Sequence, residues 1–243
     1  MNLDKKAQLY ILIADMRDLP KQASSEDAVS SMRPESALAR KLVARALHTF
    51  LGRAPSSEEL AGEVRTAGGK PCFPAFPDFH YNISHSGSFV VCAVCDRPVG
   101  IDLQKIPEQA ERAMKIAKRF FSGQEQETLN VLRGNDEPEA LCRLFCRYWT
   151  ARESYIKLTG RGLSEPFGNF RPDLEKGEIL VLKHHCIDPS AIPGSEGTGI
   201  TEETDNQADS FYLAEYQAPD GYCLTVCSTA PLPDEPAYTG NLD

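Results

Sequence analysis

Positive charge is in short supply: 26 Lys and Arg face 35 Asp and Glu, for a formal net charge of -9. Proteins that hold nucleic acid by its phosphates are usually basic, so this balance argues against that class. It still permits a local basic pocket, because a site feels its neighbours more than a distant sum. Long hydrophobic runs are missing too. No apolar stretch approaches the ~20 residues that cross a bilayer, and no secretory leader pattern opens the sequence. The expectation is a cytoplasmic protein with no membrane partner. Tryptophan occurs once, at Trp149, and no internal repeat is visible. The eight cysteines lack a second pair at zinc-like spacing near Cys92-x-x-Cys95, which weighs against a metal or redox centre. Most of them sit in apolar runs, where they read as small, reduced, buried hydrophobes.

Within those bounds the chain is ordinary: 243 residues, 41% hydrophobic and 25% charged. That is enough for one large domain or two smaller ones. Residues 8–14, 81–84, 89–95, 99–103, 178–183, 210–216 and 222–227 are short apolar runs rich in strand formers. Residues 34–51 predict a helix: Pro34 suits its first turn, Leu38, Leu42, Ala46 and Phe50 repeat every four positions, and Gly52 closes it. A helix is expected over about 108–121. The next one starts at a capping box, Ser122-x-x-Glu125. A longer helix spans about 137–159, with Leu141, Leu144, Phe145, Tyr148 and Trp149 on its apolar face and Gly160 at its end. Residues 66–80 read as a loop and 189–208 as a mobile loop. The proline-rich tail after Pro231 reads as frayed. Strands and helices are grouped rather than strictly alternating, so the fold class is α+β.

Three stretches carry chemistry. The first is Gly69-Lys70-Pro71 followed by Asn82-Ile83-Ser84-His85-Ser86-Gly87; its hydroxyls, imidazole and ammonium are phosphate donors. Taken singly, His85 and Lys70 are better explained as ordinary loop and solvated residues. The second is Val99-Gly100-Ile101-Asp102-Leu103-Gln104, where an acid interrupts a buried strand pattern. The alternative for Asp102 is a turn or cap residue where the strand ends. The third runs from Trp149 through Arg152, Glu153 and Lys157 to Gly160-Arg161-Gly162. Glu153 and Lys157, four apart, share one helix face, which alone would make only a surface ion pair. A carboxylate one turn from a tryptophan faces partly inward, where charge needs a partner or a metal. Two acids meeting across a cleft suit Mg²⁺, which takes one or two carboxylates and fills its shell with water and phosphate oxygens.

Together and in this order, these stretches resemble the 4'-phosphopantetheinyl transferases of the larger, single-chain type that activate peptide and polyketide synthetases. Asp102 and Trp149 stand 47 positions apart, which suits the family's spacing, and Ala117 to Ser122 with Glu125 resembles its connecting segment. The resemblance covers about residues 35–170. It implies two similar α/β halves related by a pseudo-twofold axis, residues 1–98 and 99–243, with the active site in the cleft between them. It implies Mg²⁺ held by Asp102 and Glu153, with Gln104 where many members have glutamate. Lys157 would act near the reacting phosphate, and Lys70, Ser84, His85 and Arg152 would contact coenzyme A. Arg152 replaces the family's usual lysine. Arg40, Lys41 and Arg45 are candidates for further coenzyme A contacts.

The reaction so implied moves phosphopantetheine from coenzyme A to a serine of an apo acyl or peptidyl carrier protein. Adenosine 3',5'-bisphosphate leaves, and Glu153 or a metal-bound water serves as base. A basic helix face of Arg112, Lys115, Lys118 and Arg119 would dock the acidic carrier. The enzyme would be a monomer. The rival reading, a coenzyme A-binding module that has lost catalysis, rests on Gln104 alone; a non-catalytic scaffold is the third.

Overall fold

The computed structural model describes residues 6–18, 33–160, 169–182 and 210–238. The 189–208 segment expected to be a mobile loop lies outside them. Eleven strands and five α-helices are seen among the described residues. A first sheet has the order β11-β1-β5-β4, from strands Leu9–Asp15 (β1), His80–Ser86 (β4), Phe89–Cys95 (β5) and Ala237–Tyr238 (β11). A second has the order β6-β10-β9-β8-β7, from Val99–Lys105 (β6), Phe170–Asp173 (β7), Glu178–Val181 (β8), Phe211–Glu215 (β9) and Tyr222–Ser228 (β10). A small ribbon joins Val64–Arg65 (β2) to Pro71–Cys72 (β3). The architecture is therefore mixed, with helices and largely antiparallel sheets in one molecule. No helix among the described residues is long and apolar enough to cross a membrane.

Side-chain alternation sorts the layers. Leu9 and Ile11 of β1, Val91 and Ala93 of β5, Val99, Ile101 and Leu103 of β6, and Leu224 and Val226 of β10 form one core between the sheets. The opposite face of the first sheet, with Leu12, Tyr81, Val90, Cys92 and Val94, packs on Leu38, Leu42, Val43, Ala46 and Leu47 of helix α1 (Pro34–Leu51). The opposite face of β6 and β10 carries helix α5 (Pro138–Thr159). Successive residues of a strand point to opposite faces, so each central strand feeds two cores. The same rule sends Cys92 and Cys95 to different cores, and they form no site.

The helices start and stop where local chemistry dictates. Gly52 and Gly160 close α1 and α5 in the left-handed region, at φ 66° each. Ser122 and Glu125 form the expected capping box of α4 (Gly123–Gly134), which follows α3 (Ala110–Phe120). A second capping box, Ser56 with Glu59, opens the short α2 (Ser57–Ala61). The pattern Ser56-x-x-Glu59 could have revealed that helix in the sequence.

The tail differs from expectation: it does not fray through residue 238. Leu232 is buried, Tyr216 Oη donates to the Pro233 carbonyl at 2.7 Å, and β11 pairs in parallel with β1. A few apolar groups and one free sheet edge hold a segment whose composition reads as loose. The C-terminal stretch thereby crosses back onto the first sheet.

Candidate active site

The site begins with a strand–helix contact. On β6, Gly100, Asp102 and Gln104 face α5 while their neighbours fill the intersheet core. A Cβ on Gly100 would overlap the Ser154 carbonyl oxygen and come within 2.5 Å of the Leu158 amide nitrogen. Glycine therefore lets the helix lie on the strand, and the helix brings Glu153 and Lys157 beside Asp102.

Asp102 is 5% exposed. Lys157 Nζ donates to its Oδ1 at 2.5 Å and to Ser84 Oγ at 2.8 Å; Ser84 Oγ donates to the same Oδ1 at 2.7 Å. The other carboxylate oxygen, Oδ2, is buried with no hydrogen-bond partner in the structure. Burial pushes the Asp102 carboxyl above its usual range, against the pull of Lys157, Ser84 and His85. Burial, and then the charge of Asp102, push the Glu153 carboxyl up as well, with Lys157 working against them. Each carboxyl is raised because charge is costly out of water, and Glu153 also because a second negative group is near. Two acids against one ammonium leave a net negative centre with an orphaned acceptor, and a cation satisfies both conditions.

Asp102 and Glu153 could hold a hard divalent ion. Among the described residues no group of three or more His, Cys, Asp and Glu that could hold a metal ion occurs, so an ion here would rest on two carboxylates and ligands from outside the protein. Oδ2 of Asp102 and the Glu153 carboxylate, with Gln104 two residues along the same strand face, make an oxygen-only set. Such a set suits Mg²⁺.

The other expected contact residues are spread out. Ser84 does not face open space; it is buried and binds Asp102 and Lys157. His85, the next residue of β4, is exposed on the opposite strand face. Lys70 Nζ donates to the Val99 carbonyl at 2.9 Å and the Leu158 carbonyl at 3.1 Å, tying the start of β6 to the last turn of α5. Its burial lowers the amine to about 8.

Arg152 is 0% exposed, bonded to Glu125 and the Phe170 carbonyl and set between the rings of Phe121 and Phe170. It points away from Asp102 and Glu153 because α5 turns successive residues by about 100°; Glu153 and Arg152 cannot share a face. Arg40, Lys41 and Arg45 are exposed on α1.

One feature was not anticipated. Asn82, Ser84 and Ser86 recur at every second position of β4. They bind, in turn, the Ile101 amide at 3.0 Å, the Asp102 carboxylate and the Lys105 amide at 2.9 Å. This polar row joins β4 to β6, which are not paired in a common sheet. The period of two was visible in the sequence; its partner was not.

The family model of the 4'-phosphopantetheinyl transferase superfamily matches residues 98–227, more than half of the chain and all of this strand–helix site. The chain belongs to the 4'-phosphopantetheinyl transferase superfamily. Relatives in that superfamily include "4'-phosphopantetheinyl transferase Sfp" of Bacillus subtilis, 34% identical over 164 residues, covering 67% of this chain and 61% of that protein. The "4'-phosphopantetheinyl transferase psf-1" of Bacillus pumilus is 41% identical over 163 residues, covering 67% and 58%. The chain is also similar to "4'-phosphopantetheinyl transferase HetI" of a Nostoc species, 32% identical over 163 residues, covering 63% and 65%. It thus matches less than two thirds of the length of these transferases.

Proposed function

We propose that this chain transfers the 4'-phosphopantetheine group of coenzyme A to a serine hydroxyl of an apo acyl or peptidyl carrier protein. Adenosine 3',5'-bisphosphate would be released, with Mg²⁺ bound by Asp102, Glu153 and Gln104. The single observation that carries this reading is the unpartnered, buried Oδ2 of Asp102 beside Glu153 and Lys157, inside the stretch that matches the family.

The chain's own groups suit the step. The carrier serine oxygen attacks the phosphorus next to pantetheine; the new P–O bond forms as the bond to the bridging oxygen breaks, and that oxygen keeps the electron pair. Glu153, or a water held beside it, takes the serine proton. Lys157 spends two of its three N–H donors on Asp102 and Ser84. The third can meet a phosphate oxygen as charge builds there. Bound Mg²⁺ would supply Lewis-acid neutralisation of charge on the pyrophosphate oxygens.

Lys70 and Ser84 would support coenzyme A binding by fixing the strand and helix that frame it, and His85, exposed on β4, would contact it directly. Two similar halves about a pseudo-twofold axis are part of this reading. What supports them is that each sheet carries one long helix, α1 on the first and α5 on the second. A cytoplasmic, monomeric enzyme belongs to the same proposal.

Incubating the chain with coenzyme A, Mg²⁺ and an apo carrier protein tests it, read by intact mass. The carrier is expected to gain one phosphopantetheine. Glu153→Gln is expected to abolish transfer with an unchanged melting curve; full activity in that variant would refute the roles given to Glu153.

A further inference from the structure

A pair of thiols meets beneath the first half of α5. Cys223 of β10 stands opposite Gln104 of β6 in the antiparallel register. Its strand neighbours Leu224 and Val226 fill the intersheet core, so Cys223 and Thr225 point toward α5. Thr225 Oγ1 meets Thr150 Oγ1 at 2.7 Å. One helical turn before Thr150 is Cys146, and two residues before Thr225 is Cys223. Cys146 Sγ lies 3.4 Å from the carbonyl oxygen of Gln104, the residue that Cys223 stands opposite, so the two thiols are neighbours.

Cys146 is 0% exposed and Cys223 is 8% exposed. Arg147, one residue after Cys146, pairs with Glu215 at 2.6 Å. Small buried thiols often serve only as packing. Two as neighbours, from a helix and a strand far apart in sequence, form a pair that oxidation can join.

We propose that Cys146 and Cys223 form a reversible disulfide when the protein meets hydrogen peroxide, and that the cross-link slows the transferase by moving α5 against β6 and β10. The Cys223 sulfur attacks a peroxide oxygen; the O–O bond breaks, one water leaves, and Cys223 becomes a sulfenic acid. The Cys146 sulfur then attacks the Cys223 sulfur and displaces hydroxide, which takes the Cys146 proton as a second water. Two thiols lose two electrons in all, and one peroxide becomes two waters.

A disulfide of ~2 Å is shorter than any thiol–thiol contact, so closing it draws helix and strand together. It also removes the thiol hydrogen that faces the Gln104 carbonyl. Glu153 and Lys157 ride on the helix that moves, and Asp102 on the strand beside it. The effect on transfer rests on the proposed function; formation of the bond does not.

The test treats the full chain with hydrogen peroxide, alkylates the remaining thiols and maps disulfides by mass. A bond linking Cys146 to Cys223 is expected. It should be absent in Cys146→Ala and in Cys223→Ala and retained in Cys142→Ser. Transfer should fall roughly tenfold or more, return with dithiothreitol, and resist peroxide in both alanine variants. Pairing with any other cysteine, sulfinic acid without a disulfide, or complete cross-linking with unchanged transfer would overturn the proposal. Should the reduced protein transfer nothing, the transferase reading fails, and disulfide mapping with slowed amide exchange in α5 still decides the cross-link.

Discussion

Three cationic side chains near the site have different surroundings, and those surroundings assign them different work. Lys157 is half-buried against Asp102 and Ser84, so it holds the acid and reaches outward. Arg152 is surrounded by Glu125, Phe170 and Phe121, so its charge is spent inside the fold, joining the cap of α4 to α5 and β7. Lys70 spans two carbonyl oxygens with no carboxylate partner among the described residues, and burial lowers its amine from 10.5 to about 8. A lowered folded value means that the unfolded chain binds more protons between about pH 8 and 10.5. Stability attributable to Lys70 therefore rises with pH through that window, by about 1 kcal/mol per unit. Urea midpoints at pH 7.5 and 9.5 should show this gain in the wild type and lose it in Lys70→Met. A parallel pH response in both proteins would mean that the amine is solvated.

Among the elements, β6 and α5 set the site, and their separation is set by one missing side chain. Gly100→Ala puts a methyl group against the Ser154 carbonyl and the Leu158 amide. Backbone atoms cannot step aside as a side chain can, so the helix must shift. The expected cost is about 1–3 kcal/mol of stability, as for other overpacked contacts. The loss of transfer should be larger than that stability loss would cause, because Asp102 stays on the strand while Glu153 and Lys157 leave with the helix. Thermal unfolding together with single-turnover transfer separates the two effects. A variant that is stable and fully active would show that this close approach is dispensable. The β4 row of Asn82, Ser84 and Ser86 acts from the other side, holding β6 by side chains instead of a ladder.

For the molecule as a whole, the acidic balance of -9 opposes an acidic carrier protein unless charge is segregated. Arg112, Lys115, Lys118 and Arg119 are all exposed on α3, close in sequence to the end of β6 that carries Gln104. Reversing Lys115 and Arg119 to glutamate should raise KM for the carrier roughly tenfold, with KM for coenzyme A unchanged, because rim charges steer encounter. Equal effects on both substrates would count against a docking face.

Much of this was readable from local chemistry. Gly52 and Gly160, the Ser122–Glu125 box and the runs of alternating or continuous apolar residues mark element ends and faces within a few positions, since capping and periodicity are short-range interactions. The motif order, likewise linear, carried the family. Tertiary packing alone decided which side chains face Asp102. Ser84 turns to it, Arg152 turns away into a buried ion pair, Lys70 becomes a strut, and the tail after Pro231 docks on β1. The physical reason is that desolvation and pairing depend on groups supplied by distant segments, and no residue's own neighbours in the chain specify them.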